Sequence, residues 1–315
     1  MKITNKTDGR YKYASIDGKK ITAHPLLYIL LYSAKDLLRS IPFFTHIYDS
    51  LSFFSVTGYL PKIKKPRSLN EHVLWMKQNL KTDLMVQCAD KIAVRDYVSQ
   101  TVGKEYLVKQ YYSGTRPEEI DFDELPDRAV IKPNHVSGKV LFYQRGTSNI
   151  SEIKTLCDSW LGISAYGQNK GEWAYSGIEP AIIIEEDLSS EDGKPPIDYK
   201  FFVSNGRVLF TQLDIGRFYA HRRMLLDSEW KSIDVVYEYP RPDSYTVEKP
   251  ACAEEMLEVA KKLAEPFPLC RVDLYEYKGR PRFGEITFYP ASGKAAFVPK
   301  EYDFIFGEMV KLPWQ

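Results

Sequence analysis

The sequence predicts an α+β protein built mostly from antiparallel hairpins, and three observations carry that prediction. From Tyr106 onward the hydrophobic period drops to two in short β-branched and aromatic runs, YLVKQYY, AVIKP and KVLFYQR, separated by turn residues. DYKFFVSNG and RVLFTQLDIGR meet at Asn205-Gly206, the strongest short hairpin signal, and CRVDLYEY and RPRFGEITFY meet through Lys278-Gly279-Arg280. Helical stretches surround these hairpins but do not alternate with them strand by strand, which argues against a parallel βαβ sheet. At 315 residues the chain is long enough for two cooperating lobes.

Residues 1–20 mix charge, glycine and aromatics and read as a ragged or hairpin start; residues 23–56 read as mainly helical. The apolar run LLYILLYSA, residues 26–34, falls short of the ~20 residues a spanning helix needs. The expectation is a helix pair packed on the body, with a peripheral membrane contact near lipid-linked substrate as the rival. Ser68 is placed to cap a helix carrying Val73, Leu74, Met76 and Leu80, and Glu71 completes a capping box. A second helix is expected from about Ala89 through DKIAVRDYVSQTV to Gly103, and a third over Ile150 to Leu161. A loop through QNKGEWAY then leads to the strand AIIIEEDL and the polar hairpin SSEDGKPP. Residues 251–265 give a further helix before the last hairpin and a tail punctuated by Pro and Gly.

Forty-three Lys+Arg against 42 Asp+Glu leave a formal charge of +1, so no whole-molecule grip on nucleic acid is expected. Cys88, Cys157, Cys252 and Cys270 lie far apart without a CxxC pair, and with no signal peptide in view the expected setting is a reducing cytoplasm. There is no GxxxxGK[ST], GxGxxG, HExxH or GxSxG motif, so any nucleotide must be held by another device.

Three segments can supply one. In the first, a strand delivers Lys132 into the loop Pro133-Asn134-His135-Val136-Ser137-Gly138; the ammonium and the backbone N–H groups of that turn can hold phosphate. An ordinary hairpin with a surface lysine is the competing reading. In the second, the apolar strand ending at Glu185-Glu186-Asp187-Leu188 can serve as a hinge against a base and ribose, or be a plain acidic turn. In the third, Asp273 and Glu285 interrupt apolar strands, and period two puts Arg271, Asp273 and Tyr275 on one face and Glu285 with Thr287 on another. If the strands pair, both acids face one site beside an arginine. Buried acids need an offsetting cation, and hard oxygen ligands suit Mg2+. A structural Arg–Asp pair is the alternative.

The ordered run TGYLP, PRSLNEHVLW, DKIAVRDYV, LPDRAVIKPNHVSG, DYKFFVSNG, RVDLY and FGEITFYPASG, over residues 58–295, resembles the TupA-like (teichuronopeptide biosynthesis) branch of the ATP-grasp superfamily. The resemblance implies an ATP-grasp fold, two lobes with antiparallel sheets gripping ATP, plus a helical N-terminal extension over residues 1–57. It implies a helical subdomain over 58–128, a lid over 129–190 and a catalytic subdomain over 191–315. It implies an ATP- and Mg2+-dependent ligase that joins a carboxylate-bearing glycan or sugar to an amine or amino acid. By position, Lys132, Asn134, Ser137, Gly138, Glu185, Glu186, Leu188 and Lys200 would hold the nucleotide, and Asp273 and Glu285 the metal. Arg271, Lys132 and Lys200 would be catalytic. Thr287 stands where many such ligases have Asn, and residues 1–57 lie outside the likeness. Arg217, Arg222, Arg223 and Ser292 are the candidates for gripping the acceptor. The rival function is a glycosyltransferase, seeded by Asp121-Phe122-Asp123 within the acidic EEIDFDELPD.

Overall fold

The computed structural model describes residues 2–8, 11–16, 20–34, 42–163, 167, 171–191, 193–216, 221–242 and 248–312. Its strands in chain order are β1 (Ile3–Asp8), β2 (Tyr11–Ile16), β3 (Lys20–Thr22), β4 (Gln110–Gly114), β5 (Arg128–Pro133), β6 (Leu141–Gln144) and β7 (Ile182–Glu186). There follow β8 (Asp198–Ser204), β9 (Arg207–Ile215), β10 (Arg222–Leu226), β11 (Val236–Tyr237), β12 (Cys270–Tyr277), β13 (Arg280–Thr287) and β14 (Phe297–Val298). Helices cover Pro25–Ser33, Pro42–Thr57, Leu69–Asn79, Asp83–Ala89, Val94–Thr101, Ile150–Leu161, Ala253–Ala264 and Glu301–Glu308.

Two antiparallel sheets dominate. The smaller runs β4-β7-β5-β6 and the larger β10-β9-β8-β12-β13. In β5 burial alternates residue by residue, with Ala129 and Ile131 fully buried. Those two pack with Ile182, Ile184 and the helix Ile150–Leu161 through Ile153, Cys157 and Trp160. The larger sheet is buried on both faces. Phe201, Phe202, Phe210, Val272 and Leu274 share one core with Met256 and Leu263 of the helix Ala253–Ala264. Its two hairpins turn where the sequence points: Asn205 and Gly206 have φ of 47° and 72°, Lys278 and Gly279 φ of 53° and 75°. Both turns are left-handed at two successive residues, the backbone that matches strand twist.

The Ser68 capping box is present in both directions and Ile150–Leu161 spans the expected residues. One expected helix is broken. Instead of a single helix from Ala89 to Gly103, Thr82 caps Asp83–Ala89 and a new helix starts at Val94. The reason is local: Asp90 accepts the Ile92 N–H at 2.8 Å and the Asn134 side-chain amide at 3.0 Å, a side-chain alternative to continuing the helix. Likewise YLVKQYY forms strand only from Gln110, because Lys104–Tyr106 is a 3-10 turn. Part of QNKGEWAY lies outside the described residues; Trp173–Tyr175 is a 3-10 turn.

The N-terminal strands form a separate sheet, β1-β2-β3, followed by Pro25–Ser33 and Pro42–Thr57. Leu26 and Leu30, one helical turn apart, are 75% and 65% exposed, and no helix among the described residues is long and apolar enough to cross a membrane. All four cysteines are free and buried; burial pushes Cys88 up to about 12 and Cys157 up to about 11.

Asp303 ties the C-terminal helix to the start of Leu69–Asn79. It accepts from Tyr59 Oη at 2.6 Å, Asn70 N at 3.0 Å and Asn70 Nδ2 at 2.6 Å. Burial outweighs these bonds and raises its carboxyl to about 6. The folded state then binds a proton that the unfolded chain has released, so this group's contribution to stability falls as pH rises from about 4 to about 6. The stability difference between wild type and Asp303→Asn is therefore expected to shrink over that window and stay flat above it. Urea unfolding at stepped pH measures this, and a difference that is constant or grows with pH refutes it.

Candidate active site

The two sheets face each other across a cavity of about 900 Å³. Alternation in β5 turns Val130 and Lys132 to this cavity while Ala129 and Ile131 turn to the helix behind. Lys132 Nζ pairs with Glu185 Oε2 of neighbouring β7 at 2.5 Å, and Arg95 Nη1 takes Glu185 Oε1 at 2.9 Å. Glu185 is thereby held between two cations on a wall that Glu186 and Leu188 continue. Ser137 and Gly138 line the rim; Gly138 has φ +77° with open space where a Cβ would stand, so a ligand can approach its backbone closely.

Asn134 is placed differently. Its amide donates to Asp90 and to Glu179 O at 3.0 Å, while its oxygen accepts from Ala181 N at 2.8 Å. The side chain is buried and lies outside the cavity lining, where it fixes the shape of the loop.

The opposite wall is β8, β12 and β13. Asp273 stands directly across from Lys200 on one side and Glu285 on the other. Arg271 Nε donates to Asp273 Oδ1 at 2.6 Å, and its Nη2 reaches Asp273 Oδ2 at 2.7 Å, Glu285 Oε1 at 3.0 Å and Thr287 Oγ1 at 3.1 Å. Lys200 Nζ meets Asp273 Oδ2 at 2.6 Å and also Asp198. Burial alone would depress the Lys200 ammonium, but the Asp198 and Asp273 carboxylates outweigh it and raise its pKa. Asp273 is 1% exposed, and burial pushes it up to about 6 against the pull of Arg271 and Lys200, with Asp198 and Glu285 adding to the push.

This donor set fits Mg2+. It offers hard carboxylate oxygens from adjacent strands on one cavity wall, with Thr287 beside them. Among the described residues no cluster of three or more metal-ligating side chains exists. Asp273 and Glu285 would hold such an ion in part, as Mg2+ at nucleotide sites commonly takes its other ligands from water and phosphate oxygens.

Of the acceptor candidates, Ser292 lines the cavity and its Oγ accepts from Lys77 Nζ at 2.9 Å. It sits in a left-handed run, with Ala291, Ser292 and Gly293 at φ of 50°, 56° and 69°. A Cβ on Gly293 would stand 3.0 Å from Leu74 Cγ, so the close approach needs glycine. Arg223 lies outside the lining: it is buried, with Nε on Asp214 Oδ1 at 2.7 Å and Nη1 on Glu238 Oε2 at 2.5 Å. Arg222, across from Ile215, is also outside the lining, and Arg217 lies outside the described residues. Asp121 and Asp123 are on an exposed turn away from the cavity, where Asp121 Oδ1 accepts the Asp123 N–H at 3.0 Å.

Several cations at the cavity escaped sequence reasoning, Lys91 and Arg95 among them. Lys91 lines the cavity and donates to Val136 O at 2.9 Å and Asn134 O at 3.3 Å, stapling the loop from beneath. Burial lowers its pKa; Glu285 opposes that and Lys132 adds to it, so its charge lies within reach of both walls. Arg95, four residues on, holds Glu185. The signal available was two cations one turn apart in DKIAVRDYV, but nothing in a helical period says which sheet they meet.

A sequence profile described as TupA-like ATPgrasp matches residues 71–311. No curated protein matches the chain. Among solved structures, the D-alanine–D-alanine ligase from Bacillus anthracis complexed with ATP is 15% identical with a TM-score of 0.38, covering 64% of this chain and 55% of that one. The L-amino acid ligase from Bacillus licheniformis is 13% identical with a TM-score of 0.43, covering 68% and 46%. The phosphoribosylamine–glycine ligase from Thermotoga maritima is 12% identical with a TM-score of 0.40, covering 65% and 49%. The chain spans about half the length of these structures.

Proposed function

The chain belongs to the TupA-like ATP-grasp family, and from that premise we propose that it is an ATP- and Mg2+-dependent ligase joining a carboxylate to an amine. The observation that supports this most is the single cavity lined by Lys132 from one sheet and by Lys200, Arg271, Asp273 and Glu285 from the other. Phosphoryl transfer asks for positioning and charge neutralisation more than for an enzyme nucleophile, and this cavity sets fixed charges on both walls.

In the proposed reaction, a substrate carboxylate oxygen attacks the γ-phosphorus of ATP, the bond to the β,γ-bridging oxygen breaks, and ADP leaves. The amine nitrogen then attacks the acyl carbon, phosphate leaves with the C–O electron pair, and the nitrogen loses a proton. Lys132 and the Ser137–Gly138 backbone are suited to grip phosphate oxygens, with Glu185, Glu186 and Leu188 forming the wall beside them. Lys200 and Arg271, both with raised pKa, stay cationic and can neutralise oxygens as charge moves between phosphate and carboxylate. Mg2+, held by Asp273 and Glu285, would supply further neutralisation of phosphate charge.

The proposed acceptor is the carboxylate of a uronic-acid sugar or surface-polysaccharide precursor, as the likeness to the teichuronopeptide branch implies, and the amine that of an amino acid. The glycosyltransferase reading loses its support, because its two acids sit on an outside turn. ADP release screened across amino acids and uronic-acid glycans, with Mg2+-ATP, is the test. A pair that gives ADP, phosphate and an amide is the expected result; UDP-sugar turnover without ATP consumption would replace the proposal.

A further inference from the structure

The N-terminal strands lie outside the residues that the family profile matches, yet the last of them reaches the cavity through Lys20. β3 and the residue after it are held from both sides. Ile21 N–H donates to Glu238 O at 2.8 Å, Ala23 N–H to Val56 O at 3.1 Å, and Thr22 Oγ1 to Ser55 O at 2.6 Å. Ile21, 1% exposed, packs in one cluster with Tyr13, Val56, Val236 and Ala296, so the small sheet is docked by an apolar seam. With Ile21 turned into that seam, strand alternation turns Lys20 to the other face, where it lines the cavity together with Asp214, Ile215 and Gly216.

Among the described residues the buried charges at this end are matched to one another. Asp214 takes Arg223 at 2.7 Å and His221 at 2.9 Å, and the other arm of Arg223 takes Glu238. Tyr239, stacked on His221 at 3.9 Å, feels the charges of both Lys20 and Asp214, which puts Lys20 beside this closed network. Among the described residues the Lys20 ammonium has the ring of Tyr28 at 5.7 Å and no paired carboxylate. A cation that faces a cleft without a carboxylate of its own is suited to an anionic group on a ligand.

We infer that the N-terminal sheet is a wall of the active-site cleft and that Lys20 binds a second carboxylate of the acceptor. The acceptor is then a polyanion, such as a short chain of uronic acids, and not a lone monocarboxylate. This rests on the ligase reading for what the cleft is used for, but its test is separable.

The full-length protein is labelled at its lysines with a small acylating reagent and each site is quantified by peptide mass spectrometry. Labelling is done alone, with saturating Mg-ADP, and with Mg-ADP plus either trigalacturonic acid or its fully methyl-esterified, uncharged counterpart. The acid is expected to shield Lys20 and the ester to leave it exposed, while Mg-ADP by itself shields Lys132. If Lys132 is shielded and Lys20 labels equally under all conditions, or if acid and ester protect equally, the inference is overturned while the nucleotide reading stands. If Mg-ADP does not shield Lys132, the nucleotide reading itself fails. By titration calorimetry, Lys20→Gln should bind trigalacturonic acid about tenfold more weakly while keeping its affinity for Mg-ADP. Unchanged affinity for the acid also overturns the assignment.

Discussion

Glu285→Gln is expected to cut ADP formation by about 10²–10³-fold, the usual cost of removing one fixed group that stabilises charge in a reacting centre. It should also remove most of the Mg2+ dependence of ADP binding measured by calorimetry. Glu285 is half-buried, and its partners Arg271 and Thr287 have other bonds to fall back on, so the stability change should stay near about 1 kcal/mol. Asp273→Ala should behave differently. Asp273 is the common acceptor for Arg271 and Lys200. Its loss leaves Lys200 with Asp198 alone and Arg271 with Glu285 and Thr287, so about 1–3 kcal/mol of stability should go with the activity. Wild-type turnover and unaltered Mg2+ dependence in Glu285→Gln would remove the metal assignment.

Lys132→Ala should weaken Mg-ADP binding by about 10- to 100-fold, the range for a lost charge-assisted bond to phosphate. The wall beside it should survive, because Glu185 keeps its bond to Arg95. Lys132 has two routes to that result, its own charge on phosphate or its hold on Glu185. Glu185→Gln separates the two. If Lys132 works through its own charge on phosphate, Glu185→Gln leaves Mg-ADP affinity much higher than Lys132→Ala does. If it works through Glu185, the two variants lose affinity equally, and the phosphate role is withdrawn.

The parts of this molecule that could be read from sequence are those fixed by neighbours in the chain. Asn205-Gly206 and Lys278-Gly279 dictate their turns through positive φ; the second sets the register as far as Leu274 across from Phe283, and a one-residue bulge at Gly284 then brings Asp273 across from Glu285. Ser68 and Glu71 cap their helix by a contact three residues long. What could not be read depends on partners far away. Asp90 stops a helix because Asn134, 44 positions on, shares its carboxylate. Arg223 looked like a substrate grip, but a distant Glu238 and the buried Asp214 bind it into the framework. Lys91 and Lys20 reach the cavity only because elements far apart in the chain pack together. Charge and spacing identify which residues carry chemistry; the tertiary partners decide which of them are left with charge to use.

The deeply set sulfurs also bear on how this molecule can be studied. Only a thiolate attacks a maleimide or iodoacetamide, and burial pushes all four thiols up, Cys88 to about 12 and Cys157 to about 11, so almost none forms at neutral pH. The native chain should therefore stay silent to such reagents. A lone Lys139→Cys on the exposed rim would then be the single addressable point for a fluorophore, so motion of that lip on nucleotide addition could be followed without first stripping the natural cysteines.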